Sequence, residues 1–355
     1  MSNTEKKSSK KGLIALIALV IISGIGYVIG KPYYDLHFGK INSFSEAKTI
    51  YIPTNSNLDS VATIIDKNSI LDKTSFLSYS EKLDFNDEKV EPGKYVVEPG
   101  TKIKNLVYAL KNGNQEVLDV RITFNNCKSL DDIAGKVSLN IEADSSEISQ
   151  YLNDPKTQEN YGFTPETFIA MFLPDTYEVG EWDMSAEEFT QKMADEFKKF
   201  WNEDRTAKRK DLNLTESEIT TLASIVEAEQ GIFQQEWKTI AGLYLNRVRK
   251  GMKLEADPTF KFCWGDELNG VQRLLQKHRE IDCPYNTYLY AGIPPGPICN
   301  PSKTAIDAVL NAERHDYIFF CARPDNSGLH NFAETYSQHL ENARKFWKYM
   351  DSKNL

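Results

Sequence analysis

Glu227 and Glu229 stand two positions apart at the end of "LASIVEAEQG", a stretch otherwise apolar and helix-forming. A carboxyl at an apolar border has its charged form disfavoured, so its pKa rises and it keeps a proton to give at neutral pH. That is general-acid chemistry, of the kind that breaks glycosidic bonds. Further along, "LEADPT" adds Glu255 and Asp257. "YNTYLYAGIPPGPICNPS" then offers Asn286, Tyr288 and Asn300 on a loop with four prolines and two glycines. Amides and rings on a stiff loop facing a cleft suit the hydroxyls and ring faces of sugars.

The elements that would hold these groups can be read from punctuation and period. "LTESEITTLASIVEAEQG" opens with Thr215 and Glu218 in capping-box spacing and stops at Gly231. On a helical wheel Ile219, Leu222, Ala223, Ile225 and Val226 share one face, with Glu229 inside that arc and Glu227 at its edge. The wheel does not choose between the two. It also fits a solvated helix edge, or a carboxylate that caps a neighbouring turn. The next helix puts Trp237, Ile240, Ala241, Tyr244, Leu245 and Val248 on its core face and stops at Gly251.

Upstream, "LDVRITF" (118–124) predicts a strand entering a larger domain, followed by helices at about 129–153 and 185–203. Between them "FLPDTYEVG" reads as a turn at Pro174 and Asp175 that presents Thr176, Tyr177 and Glu178, as plain structure or as substrate wall. Before that domain, residues 45–117 alternate strand and helix signals, with Leu58, Val61, Ile64 and Ile65 on one helical face and Ile103, Leu106, Val107 and Leu110 on another. This small strand-helix-helix-strand unit looks LysM-like, a fold often used to hold glycan chains; it also reads as a spacer. Residues 31–44 look like a short linker.

"GLIALIALVIISGIGYVIG", Gly12 to Gly30, is nineteen residues without a charge. At about 1.5 Å per residue it covers roughly the 30 Å hydrocarbon layer. A cleaved signal would want a shorter apolar region and a small-x-small site, which "GKPYYDLHF" lacks. The tail, residues 1–11, carries four lysines and one glutamate, which favours a cytoplasmic N-terminus and an exported remainder. The chain's net charge of −9 becomes −12 without that tail, leaving no electrostatic footprint for nucleic acid. Five cysteines without a CxxC leave the pairing open, with one bridge expected among Cys263, Cys283, Cys299 and Cys321. The five histidines show no HExxH and no tight cluster, so neither a metal nor a cofactor is expected.

The stretches "PDTYE", "LASIVEAE", "YLNRV", "GMKLEADPT", "YNTY", "GIPPGPICNPS" and "HNFAETYSQH" together resemble the YceG-like family of membrane-anchored endolytic murein transglycosylases. The resemblance implies an α+β architecture: a transmembrane anchor (12–30), a LysM-like module (45–117) and a catalytic domain (118–355). It implies an enzyme of the cytoplasmic membrane whose catalytic domain is extracytoplasmic. The bond cut would be the β-1,4 link between N-acetylmuramic acid and N-acetylglucosamine, leaving 1,6-anhydro ends that terminate elongation. Peptidoglycan strands would be the substrate and peptidoglycan synthases the partners.

By the same resemblance Glu227 takes the catalytic position. Glu229, Glu255, Asp257, Asn286, Tyr288, Asn300, Thr176 and His330 would bind substrate or assist. Glu255 stands where members often carry Gln. Two other readings remain open: a hydrolytic muramidase using Asp257 or Glu255 as second carboxylate, and a non-catalytic wall-binding scaffold. The topology is testable directly. A reporter fused after Leu355 should be digested by protease added to intact spheroplasts, and its protection would overturn the expected orientation.

Overall fold

The computed structural model describes residues 5–41, 44–113, 120–268, 270–271 and 274–353. The tail's residues 1–4, the end of the expected module (114–117) and the start of the expected strand (118–119) lie outside the described residues. The architecture is mixed α and β in two compact units. One runs to Val120 and includes Gly180–Asp183; the other comprises Arg121–Val179 and Met184 onward. The expected boundary near residue 118 therefore holds, except that four residues from the middle of the chain join the first unit.

In the first unit α1 (Glu5–Phe38) contains the stretch Leu13–Phe38, long and apolar enough to cross a membrane. The helix does not end at Gly30. It continues through Lys31 and Pro32, and Leu36 and Ile41 are buried in the unit's core, so residues 31–44 are not a free linker as expected. The apolar side chains after the span find a core to join, which ties the helix end to the unit.

Strand β1 (Lys48–Ile52) buries Ile50 and Ile52 and turns Tyr51 outward, the alternation of a one-sided strand. Helix α2 (Leu58–Lys67) starts where the Asn57 side chain accepts from Ser60 N, and α3 (Lys73–Lys82) where Asp72 accepts from Ser75 N. Strand β2 (Gly93–Val97) runs antiparallel to β1 with Tyr95 opposite Ile50. Helix α4 (Ile103–Lys111) buries the four residues its period predicted.

The second unit begins with β3 (Val120–Phe124), which pairs with β4 (Asp175–Gly180). The long helix expected over 129–153 is two: α5 (Leu130–Val137) and α6 (Ser145–Leu152), the second started by the Asp144 side chain. After α7 (Pro155–Asn160) the chain forms β4 where a presenting turn was expected. Tyr177 is buried there, stacked on Phe124 at 5.5 Å with its hydroxyl donating to Leu173 O, so it is core. Phe168, Phe172 and Phe189 extend this aromatic core to α8 (Ala186–Phe200), and α9 (Glu203–Leu212) follows.

At the centre lies α10 (Glu216–Glu229), with the predicted capping box formed by Thr215 and Glu218. It is not amphipathic. Every residue from Ile219 to Val226 is buried, because α11 (Trp237–Arg249), α12 (Asp257–Trp264) and α13 (Lys303–Leu310) pack around it. The hydroxyls this traps are satisfied within the helix, Thr220 on Glu216 O, Thr221 on Ser217 O and Ser224 on Thr221 O. The chain ends in a hairpin, β5 (Phe319–Ala322) antiparallel to β6 (His330–Ala333), and then α14 (Tyr336–Lys353).

Candidate active site

Two residues apart on a helix means about 200° of rotation. Glu227 and Glu229 accordingly leave the last turn of α10 towards different neighbours. Glu227 is half-buried, and its Oε2 accepts from Ser302 N at 2.7 Å, the residue that caps α13. It lies close enough to Cys299 to help burial push that thiol up to about 12. This is a carboxylate holding a neighbouring helix start, one of the alternatives the wheel left open.

Glu229 faces a cavity of about 550 Å3 shared with Glu255, Asp257, Arg279 and Tyr288. Its Oε1 accepts from the Tyr244 hydroxyl at 2.9 Å. Burial pushes the carboxyl up to about 7; the Tyr244 hydrogen bond pulls the other way, and the nearby Asp257 charge raises it further. Burial also raises Tyr244 well above its ordinary value, so its hydroxyl stays a donor.

Asp257 opens α12, and its Oδ1 accepts from the Tyr288 hydroxyl at 2.5 Å and from Arg279 at 3.3 Å. The Arg279 guanidinium also lies 4.9 Å from the Tyr288 ring centroid. Glu255 sits at φ +52°, a left-handed conformation that a residue with a side chain adopts rarely. It is held there by its amide donating to Thr287 O and by Arg247 on its carboxylate. Arg247 is buried and also donates to Lys253 O, Leu254 O and Ile318 O, joining α11, this strained turn and the approach to β5.

The proline-rich loop is fixed at several points. The bridge left open by the sequence is Cys263–Cys283, which ties the end of α12 to the loop's start. Ile298 N donates to Ser224 of α10. Gly296 passes so close to Glu166 that a Cβ would lie 1.9 Å from its carbonyl oxygen, so no other residue fits.

Asn286 and Asn300 were expected to turn their amides to the cleft, and neither does. Asn286 is fully buried and donates to Arg279 O and Ile281 O while accepting from Tyr288 N. Asn300 accepts from Cys127 N and donates to Phe172 O. A loop without regular structure leaves backbone groups to satisfy, and these side chains do it. Thr176 is exposed on β4 and bonded to Thr123, away from the cavity lining. His330 lies behind the cavity wall, with its Nδ1 and its amide both on buried Glu236 and Phe320 packed edge-on against its ring.

So Glu229, Glu255, Asp257 and Tyr288 come together, while Glu227, Thr176, Asn286, Asn300 and His330 do not. The sequence reading missed three contributors. Tyr244 carried a signal, since a buried tyrosine hydroxyl must find a partner. Arg279 and the cavity-lining side chains of α14 carried none.

A near-neutral carboxyl in a polar and aromatic cleft is the equipment of a glycan-cleaving protein. The chain belongs to the YceG-like family, whose model matches residues 50–345. It is 26% identical to a Bacillus subtilis protein named endolytic murein transglycosylase, over 86% of this chain and 85% of that one. It is 27% identical to a Streptococcus pneumoniae protein of the same name, over 86% of this chain and 60% of that longer one. A crystal structure of a yceG-like protein from Listeria monocytogenes shares the fold, with TM-score 0.54 at 24% identity, covering 84% of this chain and 99% of that one.

The buried amides give a prediction opposite to that of cleft-facing ones. Asn300→Ala strands Cys127 N and Phe172 O, which should cost about 1–3 kcal/mol. A melting temperature equal to wild type, with turnover lost, would return Asn300 to the cleft.

Proposed function

We propose that this protein is an endolytic murein transglycosylase in which Glu229, rather than Glu227, is the general acid and base. The observation that carries the assignment is the Glu229 carboxyl, raised by burial to about 7 inside the cavity it shares with Asp257 and Tyr288. Glu227 has its oxygen engaged by Ser302 N instead.

Protonated Glu229 gives its proton to the glycosidic oxygen between N-acetylmuramic acid and N-acetylglucosamine. Tyr244 occupies Oε1, so the transferable proton sits on Oε2. As the bond to C1 breaks, the new carboxylate takes the proton of the muramic acid C6 hydroxyl, whose oxygen closes on C1. The product is a 1,6-anhydro end, and no water is consumed. Asp257, tied to Tyr288 and Arg279, supplies negative charge beside the developing oxocarbenium ion.

The rest of the chain fits the same task. The antiparallel pair β1 and β2 with α2 and α3 supports a LysM-like, glycan-holding role for the first unit. The apolar stretch of α1 supports a membrane anchor with both units on the extracytoplasmic side, within reach of nascent strands and the synthases that make them.

The test is mass spectrometry of glycan fragments released by the full chain. Glu229→Gln keeps shape and hydrogen bonding but has no proton to give, so anhydro products should fall by at least about a hundredfold. Glu227→Gln can still accept from Ser302 N and should stay within about tenfold of wild type. Because the acid must be protonated, kcat/KM should fall as pH rises through about 7. An active Glu229→Gln beside a folded, inactive Glu227→Gln would reverse the assignment, and reducing ends in place of anhydro ends would mean hydrolysis.

A further inference from the structure

The cavity around Glu229 does not end at the carboxylates. It continues to α14, where Tyr336, His339, Phe346 and Trp347 line it opposite Phe319 and Cys321. Helix α14 has eighteen residues and buries none of them. Trp347 stays 61% exposed, an indole held in water beside a cleft. A large apolar side chain left exposed along a cavity wall marks a surface that something covers.

The first half of the helix is fastened. The His339 ring stacks on Phe319 at 5.3 Å and 21°, and the Arg247 guanidinium lies 5.4 Å from the Phe319 ring centroid. Within the same cavity wall, the His339 Nδ1 is buried without a hydrogen-bond partner. Further along, Phe346 and Trp347 meet edge-on at 5.7 Å. The wall thus offers ring faces at one end and carboxylates, guanidinium groups and a tyrosine hydroxyl at the other. About 550 Å3 is ordinary for a site that encloses a small ligand segment.

A pyranose has an apolar C–H face and a polar edge, which matches this division. A peptide helix would want an apolar groove throughout, and the cavity is charged at its centre. We propose that Phe346 and Trp347 form a saccharide-stacking subsite, which receives a ring of the glycan strand some distance from the bond that Glu229 cuts. The inference rests on the reading of this cavity as the glycan-cleaving site. It makes recognition depend on strand length, since only an oligomer long enough to lie on α14 gains the contact.

The experiment uses the full chain in detergent, in a Glu229→Gln background so that binding is measured without turnover. Muropeptide-free glycan oligomers of increasing length are titrated calorimetrically. Trp347→Ala should weaken binding of the long oligomers by roughly tenfold, as expected for loss of an aromatic contact, and leave the shortest unchanged. Trp347→Phe should restore most of the loss, and all variants should melt together because the side chain is exposed. With Glu229 restored, KM for long strands should rise in Trp347→Ala. Unchanged binding, equal weakening at every length, or no rescue by Phe would overturn the subsite. If wild type releases no anhydro ends the reaction assigned above fails, and the titration still decides whether α14 binds glycan.

Discussion

The site depends on the burial of α10 on every side. A helix enclosed by α11, α12 and α13 has no freedom to rotate or shift, so the directions in which its last turn points are fixed by packing. That is why two glutamates so close in sequence meet different surroundings. One is spent on the N–H of Ser302, where it anchors the start of α13. The other reaches the cavity and meets Tyr244, which α11 brings from the opposite wall. The same packing supplies the desolvation, since a carboxyl at the end of a solvated helix would stay ionised at neutral pH.

Around that fixed point the neighbours are arranged by linkages that are not regular secondary structure. Arg247 collects three carbonyls and the Glu255 carboxylate, holding Glu255 in its left-handed conformation. The Cys263–Cys283 bridge and Asn286 hold the start of the proline-rich loop, which places Tyr288 on Asp257. Ser224, a polar residue inside the central helix, accepts from Ile298 N and so ties that loop to α10. The polar residues of the region therefore divide into those that hold loops and those that face the cavity, and the first group is the larger.

Much of this was legible in the sequence, and the failures are instructive. The capping box at Thr215 and the helical faces of α2 and α4 were readable because local chemistry decides them. The wheel for α10 misled, since it assumed one solvated face where there is none. It nevertheless placed Glu229 among the apolar residues, while the motif resemblance put Glu227 in the catalytic position. Asn286 and Asn300 looked like cleft amides because sequence shows a polar residue on a rigid loop and does not show where the loop's own N–H and C=O groups must go. The stretch after Gly30 looked like a linker because Leu36 and Ile41 are too sparse to show a period, yet both are core.

One carboxyl doing the work of two places demands on its neighbours. In a two-carboxylate glycosidase the second group attacks or activates water and must present a free oxygen to the sugar. Here the oxygen Oδ1 of Asp257 is engaged by Tyr288 and by Arg279, which suits a fixed charge better than a nucleophile. The charge has two uses on this reading. It opposes ionisation of Glu229 before the proton is given, and it favours the cationic sugar once the bond breaks. Glu255, with its carboxylate on Arg247, is likewise held in place. The proton then has one place to leave from and one to return to, and the C6 hydroxyl of the sugar, rather than water, is the group positioned to give it back.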